Sequence, residues 1–468
     1  MMNSSDRHNL YTYSDPVLSL WQAAVAEVQG RHESVTNRMA LATSNRLPAT
    51  PMPAQNELMS PVYLLGEPLK ANEKVPDEIS AKVAAPVSAA RPGAVAEAKV
   101  LVPADCVKVA AQFLWAEMTG NKEKSALYAG ELKDSVCDIG WGECVVTYLA
   151  YKASGAKLLY RSNQNPVFDL ADGKTIAIIG DWGTGDEVAI NLLQQVAALK
   201  PQVLIHLGDV YYAGTHNEEQ GNFLDICRKL LGPNVPIFSL CGNHDMYSGG
   251  EGYYWLVDQL GQQASYFCLQ NEDWQFLAMD TGHNDHDPLT VATNMTGLVT
   301  DGSWAEEDWL LDKINLAKGR KTVLLSHHQL FSPFGAVGSV DGKSYAYNPN
   351  LRSTFQAVMD QVEWWFWGHE HTLAIFDPYM GLKRGRCVGA SAVPVFTDQQ
   401  SYTNASGLET YGGAGLPVWN TKGQLGDNGT SYNNCFALMT LNGSSANVDY
   451  YQVPMLGTAT KLPVDDKL

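Results

Sequence analysis

Five short polar clusters stand out along the chain: Gly180-Asp181-Trp182-Gly183, Gly208-Asp209-Val210-Tyr211-Tyr212, Gly242-Asn243-His244-Asp245, Ser326-His327-His328 and Gly368-His369-Glu370-His371. Their donors are carboxylate, amide oxygen, phenol and imidazole, with no thiolate, which is the ligand set of divalent and trivalent first-row metals. One such cluster alone would be read as a turn or a helix cap. An ordered set, each member directly after an apolar run, points instead to a single shared site.

The runs that would position these clusters are short and β-branched or aromatic: 175–180, 203–207, 237–240, 276–279, 322–325 and 364–367. Amphipathic spacing predicts helices between them at 187–199, 222–231, 304–317 and 351–362, the rhythm of a sheet with helical crossovers. Loops at the carboxyl ends of such strands converge on the ligand crevice, so the clusters should face one pocket. His206, inside an apolar strand, reads as a packed core histidine. After residue 367 the pattern changes to short strands and glycine-rich loops, with late strands near 435–441 and 447–453. That change suggests a second sheet packed on the first.

The ordered clusters resemble those of the calcineurin-like metallophosphoesterases, and among them are most similar to the purple acid phosphatases. Gly183 stands where much of that superfamily has a histidine two residues after the first aspartate, and Tyr212 stands three residues after the second aspartate; both are features of the purple enzymes. The resemblance covers roughly 172–380 by motif. It implies an α/β fold of four layers, αββα, with two central mixed sheets flanked by helices. Carried over position by position, it implies a first metal held by Asp181, Tyr212 and His371, a second held by Asn243, His327 and His369, and Asp209 bridging the two. His327 and His328 are adjacent and either could be the ligand; the spacing favours His327.

A carboxylate shared by two cations lets them activate a water as hydroxide and stabilise an in-line phosphoryl transfer. His244, beside Asn243, resembles the residue that steadies the phosphate and protonates the leaving oxygen. Asp245 is expected to orient it. A tyrosinate ligand suits a trivalent ion, and the resemblance implies ferric iron paired with Fe(2+), Zn(2+) or Mn(2+), and a coloured protein. The expected activity is acid-phosphatase-like hydrolysis of phosphate monoesters. The alternatives are a phosphodiesterase using the same metals, on cyclic nucleotides or phospholipid headgroups, and a non-catalytic binding protein on the same fold. His283, His286, His216 and Glu218 are candidates for the pocket rim.

At 468 residues two domains are expected. Residues 1–165 read as a helical accessory region, with helical patterns at 16–28, 105–118 and 142–154 and an Ala/Pro-rich linker at about 40–105; residues 166–468 read as the catalytic domain. The net charge of −18 opposes association with nucleic acid or anionic membranes and leaves a small phosphorylated substrate as the expected partner. No window approaches a membrane span. The N-terminus lacks a basic patch followed by an apolar core, so a cytoplasmic protein, or one exported without a signal peptide, is expected. The 8 cysteines form no C-x-x-C pair and read as buried thiols.

Overall fold

The computed structural model of the chain describes residues 144–468 apart from 145–146, 149, 153, 162–164, 289–296, 300–304, 335–336, 341–342, 394, 396, 398–401, 403–416, 430 and 456. The helices expected at 16–28 and 105–118 and the linker at 40–105 lie outside the described residues. Within 142–154 the described residues are helical. The chain divides into two compact units, with the change between Ala156 and Lys157.

In the larger unit the strands are β1 Val167–Asp169, β2 Thr175–Ile179, β3 Val203–His206, β4 Ile237–Ser239, β5 Phe267–Gln270, β6 Trp274–Ala278, β7 Lys321–Ser326, β8 Gly338–Val340, β9 Lys343–Tyr345, β10 Val362–Trp367, β11 Leu373–Ile375, β12 Gly385–Val388, β13 Asn434–Asn442, β14 Ser445–Val453 and β15 Thr460–Lys461. One sheet runs β1-β5-β6-β7-β10-β12-β11 and the other β15-β14-β13-β2-β3-β4, with β8 and β9 forming a separate hairpin. Both large sheets are mixed. Strands β6, β7, β10 and β12 are parallel in the first, as are β2, β3 and β4 in the second, with antiparallel strands at the flanks.

Strand β2 shows how the layers form. Its side chains alternate with period two: Ile176 and Ile178 enter the core shared with β7 and β10 of the other sheet, while Ala177 and Ile179 pack on helix α1, Glu187–Ala198, through Leu192, Leu193 and Val196. Helix α2, Asp225–Leu231, joins that outer layer through Cys227. Across the molecule, α4 (Glu306–Asn315) and α5 (Pro349–Phe355) contribute Trp309, Leu310, Ile314, Leu351 and Phe355 to the cluster around β7 and β10. Helix α3, Glu251–Leu260, lies beside β4, where the Tyr253 hydroxyl donates to the Ser239 carbonyl at 2.9 Å. The architecture is the four-layer αββα arrangement.

The sheets are also tied by a buried polar cluster. Arg386 on β12 donates to both oxygens of Asp466, at 2.7 and 2.9 Å, and Asp466 also accepts from the Tyr450 hydroxyl on β14 at 2.6 Å and the Trp364 indole on β10 at 3.2 Å. A buried charge is tolerable only with its hydrogen bonds filled, as they are here.

Local signals explain most boundaries. Asp186 caps α1 by accepting from the Ala189 N–H, and Asn348 caps α5 with Pro349 in the first turn. Three differences from expectation have physical reasons. The helix at 351–362 is shorter than predicted, because Val362 already belongs to β10, whose aromatic residues are buried on both faces. Helix begins at His216 rather than 222, started by a capping box between Thr215 and Glu218, and passes through a π-helical turn, Glu219–Leu224, into α2. The late strands do not make a sheet of their own: β13 pairs antiparallel with β2, so the last strands complete the sheet that the first strands begin.

Candidate metal centre

The clusters lie at the carboxyl ends of strands from both sheets. Asp181, Asp209 and Asn243 follow β2, β3 and β4; His327 follows β7; His369 and His371 follow β10. Two hydrogen bonds join the halves. The His327 Nδ1 donates to the Leu207 carbonyl at 2.9 Å, and the His369 backbone N–H donates to Asp181 Oδ2 at 2.8 Å. The flanking glycines are required by this closeness, since a Cβ on Gly242 would lie 2.1 Å from Asp209 Oδ1 and one on Gly368 2.5 Å from Asp181 Oδ2. Gly183 is fixed for the same reason, with its Cβ position 2.8 Å from the Val210 Cα. Asp181, Asp209 and His369 have φ of 56°, 73° and 63°, left-handed values that cost L-residues energy and concentrate at functional sites.

The donor set converges. Because the Leu207 carbonyl can only accept, Nδ1 of His327 carries a proton, and Nε2 is the nitrogen left to hold a second proton or a cation. Around Nε2 stand Asn243 Oδ1 at 3.0 Å, His369 Nδ1 at 3.2 Å and Asp209 Oδ2 at 3.3 Å. Asn243 cannot turn its amide inward, because its Nδ2 donates to the Tyr247 hydroxyl at 2.6 Å. Acceptors packed this closely need a positive charge between them, which a second proton on His327 or a metal cation supplies. Burial alone would depress the His327 imidazole, but Asp209, then Asp181 and Asp245, outweigh it and hold it up at about 9. Asp209 is held well below the usual carboxylate range against its burial, by His327 and His244. The ligand atoms of Asp181, Asp209 and His327 lie within 4.8 Å of one another, as do those of His327, His328 and His369. These oxygen and imidazole donors fit first-row cations at two adjoining positions.

The phenol that the structure brings to the carboxylates is that of Tyr211, which sequence reasoning had passed over. Its hydroxyl is 3.2 Å from Asp181 Oδ1, 3.4 Å from Asp209 Oδ2 and 3.0 Å from His371 Nε2, and the residue is fully buried. His371 completes this side at 3.5 Å from Asp181 Oδ1. Tyr212, the expected ligand, is half-buried. Its backbone N–H is held by Glu218, its carbonyl by His244, and its ring lies edge-on to Tyr211 at 6.0 Å.

His244 is buried beside the carboxylates, its Nε2 3.9 Å from Asp209 Oδ2. The group that orients its ring differs from expectation: Nδ1 donates to the Tyr212 carbonyl at 2.6 Å. Asp245 instead accepts three backbone N–H groups, from Gly242 at 2.6 Å, Val210 at 2.8 Å and Asp209 at 3.0 Å. It braces the two ligand loops against each other. Burial and the neighbouring Asp209 raise its carboxyl to about 7, although these N–H groups pull it down.

Of the two adjacent histidines, His327 lies within reach of Asp209, Asn243 and His369. Both ring nitrogens of His328 are engaged by Asp285 and Thr281. Among the rim candidates, Glu218 accepts the N–H groups of Tyr212, Ala213 and Thr215 and so shapes the loop, and His216 is exposed and stacks on Trp255 at 4.1 Å. His283 lies against Tyr160 at 4.9 Å, and His286 Nδ1 bonds the His283 carbonyl at 2.9 Å. His206 is a core histidine as read, buried against Phe223 with Nδ1 at 3.0 Å from the Ser239 hydroxyl.

Residues 174–373, which hold these clusters, match the calcineurin-like phosphoesterase family model. Among solved structures the chain is similar to a purple acid phosphatase from yellow lupin (Lupinus luteus) seeds, with 12% identity and a TM-score of 0.39, over 60% of this chain and 52% of that one. It is similar to a dimetal phosphatase from Danio rerio, with 14% identity and a TM-score of 0.39, over 62% of this chain and 99% of that one. A third is an anchor protein of the Plasmodium inner membrane complex, with 14% identity and a TM-score of 0.39, over 63% of this chain and 90% of that one. The matched region spans about half the length of the lupin enzyme. No curated protein matches the chain. No helix among the described residues is long and apolar enough to cross a membrane.

Proposed function

We propose that residues 166–468 hydrolyse phosphate monoesters at a two-cation centre, with residues 1–165 as a helical accessory region. The observation that carries this reading is the gathering of ligand-type atoms from Asp181, Asp209 and His327, and from His327 and His369 beside them, within 4.8 Å of one another, which is the spacing two cations would use. In this reading Asp181, His371 and a tyrosine hold one cation, Asn243, His327 and His369 hold the other, and Asp209 bridges them. The tyrosine is Tyr211, because its hydroxyl lies against Asp181 and His371. Such a phenolate suits ferric iron, with Fe(2+), Zn(2+) or Mn(2+) at the second position.

When bound, the cations supply a nucleophile at neutral or acid pH and neutralise charge on the phosphoryl oxygens. The protein's own contribution is placement. The Tyr212 carbonyl fixes the His244 Nδ1–H, so Nε2 is the atom left to carry a proton toward the substrate. Asp245 keeps the loops bearing Asp209 and Asn243 in register. The net charge of −18 repels polyanions, which favours a small phosphorylated substrate drawn in by the local cations.

The test is a paired assay of metal-loaded full-length protein on an aryl phosphate monoester and the matching diester, at acid and neutral pH, with Asp209→Asn as the blank. Monoester preference that disappears in the blank supports the proposal. Diester preference would replace it with phosphodiesterase activity at the same centre, and no hydrolysis of either ester would refute the catalytic reading.

A further inference from the structure

His328 is a buried histidine that the proposed chemistry does not use, and it is held from three sides. Its backbone N–H donates to Thr281 Oγ1 at 3.1 Å, its Nδ1 lies 2.9 Å from the same hydroxyl, and its Nε2 lies 2.8 Å from Asp285 Oδ2. His328, Thr281 and Asp285 are 0%, 0% and 3% exposed, so water does not compete for these contacts. The imidazole can therefore neither flip nor swing. Its face lies on His369, ring centroids 4.4 Å apart and planes 39° apart, and its edge meets His327 at 4.9 Å.

The clamp itself is anchored on both sides. The Asp280 N–H donates to Glu306 of α4 at 2.7 Å, which fixes the start of the loop. Gly282 rests on the loop of the second cation position so closely that a Cβ there would lie 2.2 Å from the Gly242 carbonyl. The segment Asp280–Asp285 thus touches the Asn243 loop directly and the His369 ring through His328. His369 needs such support, because its backbone is left-handed at φ 63° and its Nδ1 must stay within 3.0 Å of Asn243 Oδ1.

We propose that His328, clamped by Thr281 and Asp285, is a positioning residue that sets the plane of the His369 imidazole and thereby completes the second cation position. The inference rests on the two-cation reading above. Groups that orient metal ligands typically change affinity by about 10–100-fold when removed. A clamp touching only the Asn243 and His369 side should weaken one cation and spare the other.

The test measures cations per chain in full-length protein, loaded with Zn(2+) and dialysed against graded chelator, with circular dichroism to verify the fold. His328→Ala is expected to retain one cation at wild-type affinity and to hold the second about 10–100-fold more weakly. His328→Gln, whose amide can still reach Asp285, should recover part of that loss. Asp285→Asn, which opens no cavity, should show the same selective loss if His328→Ala fails to fold. Two cations at unchanged affinity in the folded His328→Ala or Asp285→Asn variant would overturn this inference alone, as would equal loss of both. Wild-type protein that takes up no cation would overturn the two-cation reading and this inference with it.

Discussion

Replacing Asp245 separates two roles that a carboxylate beside a catalytic histidine can have. As a brace, Asp245 satisfies three N–H groups at 2.6, 2.8 and 3.0 Å in a position with 0% exposure. In Asp245→Asn the amide oxygen can keep the pair from Gly242 and Asp209, but the NH2 group then faces the Val210 N–H. One buried donor is lost, which costs about 1–3 kcal/mol. Asp245→Ala orphans all three. The raw loss is several times larger, but removing a carboxyl that burial and Asp209 raise to about 7 offsets part of it, leaving a net cost of about 2–5 kcal/mol.

Urea unfolding of the full-length chain, metal-free and metal-loaded, measures both numbers. The metal-loaded difference should be the larger, because the shifted Asp209 backbone also weakens cation binding. Asp245→Asn within about 0.5 kcal/mol of wild type, coupled with a displaced pH profile of hydrolysis, would refute the brace. Asp245 would then act on His244 after all.

Two further outcomes are expected. In iron-loaded protein Tyr211→Phe should abolish the visible tyrosinate absorption and Tyr212→Phe should preserve it; the reverse pattern would return the ligand role to Tyr212. Burial holds the His206 imidazole down at about 3, so the folded protein keeps it neutral while the unfolded chain protonates below about 6.5. This stability is fully present above that pH and falls by roughly 1.4 kcal/mol per unit on acidification toward 3. His206→Phe should flatten the acid limb of the stability curve by that slope, and parallel curves for the two proteins would contradict the assignment.

The convergence of the clusters was legible because ligand-type residues sit in short runs after recognisable strands, and strand type is a local property. What lay one residue off was harder. Tyr211 and Tyr212 are chemically identical neighbours, and which phenol turns inward depends on the path of the loop. The brace and the clamp were hidden for another reason: Asp245 acts on N–H groups 35 and 36 residues upstream, and His328 acts through Asp285, 43 residues away. No local spacing encodes such pairs. The same limit applied to the fold. The capping box at Thr215 and Glu218 was a readable sign that helix starts at His216, whereas the pairing of β13 with β2 leaves no trace in either strand alone.

The left-handed backbones of Asp181, Asp209 and His369 carry a meaning for the chain's history as well as its chemistry. At each of these positions glycine would relax the main chain by roughly 1–3 kcal/mol. A lineage relieved of its chemistry would therefore gain stability by drifting to glycine at these places first. This chain keeps aspartate or histidine, not glycine, at all three.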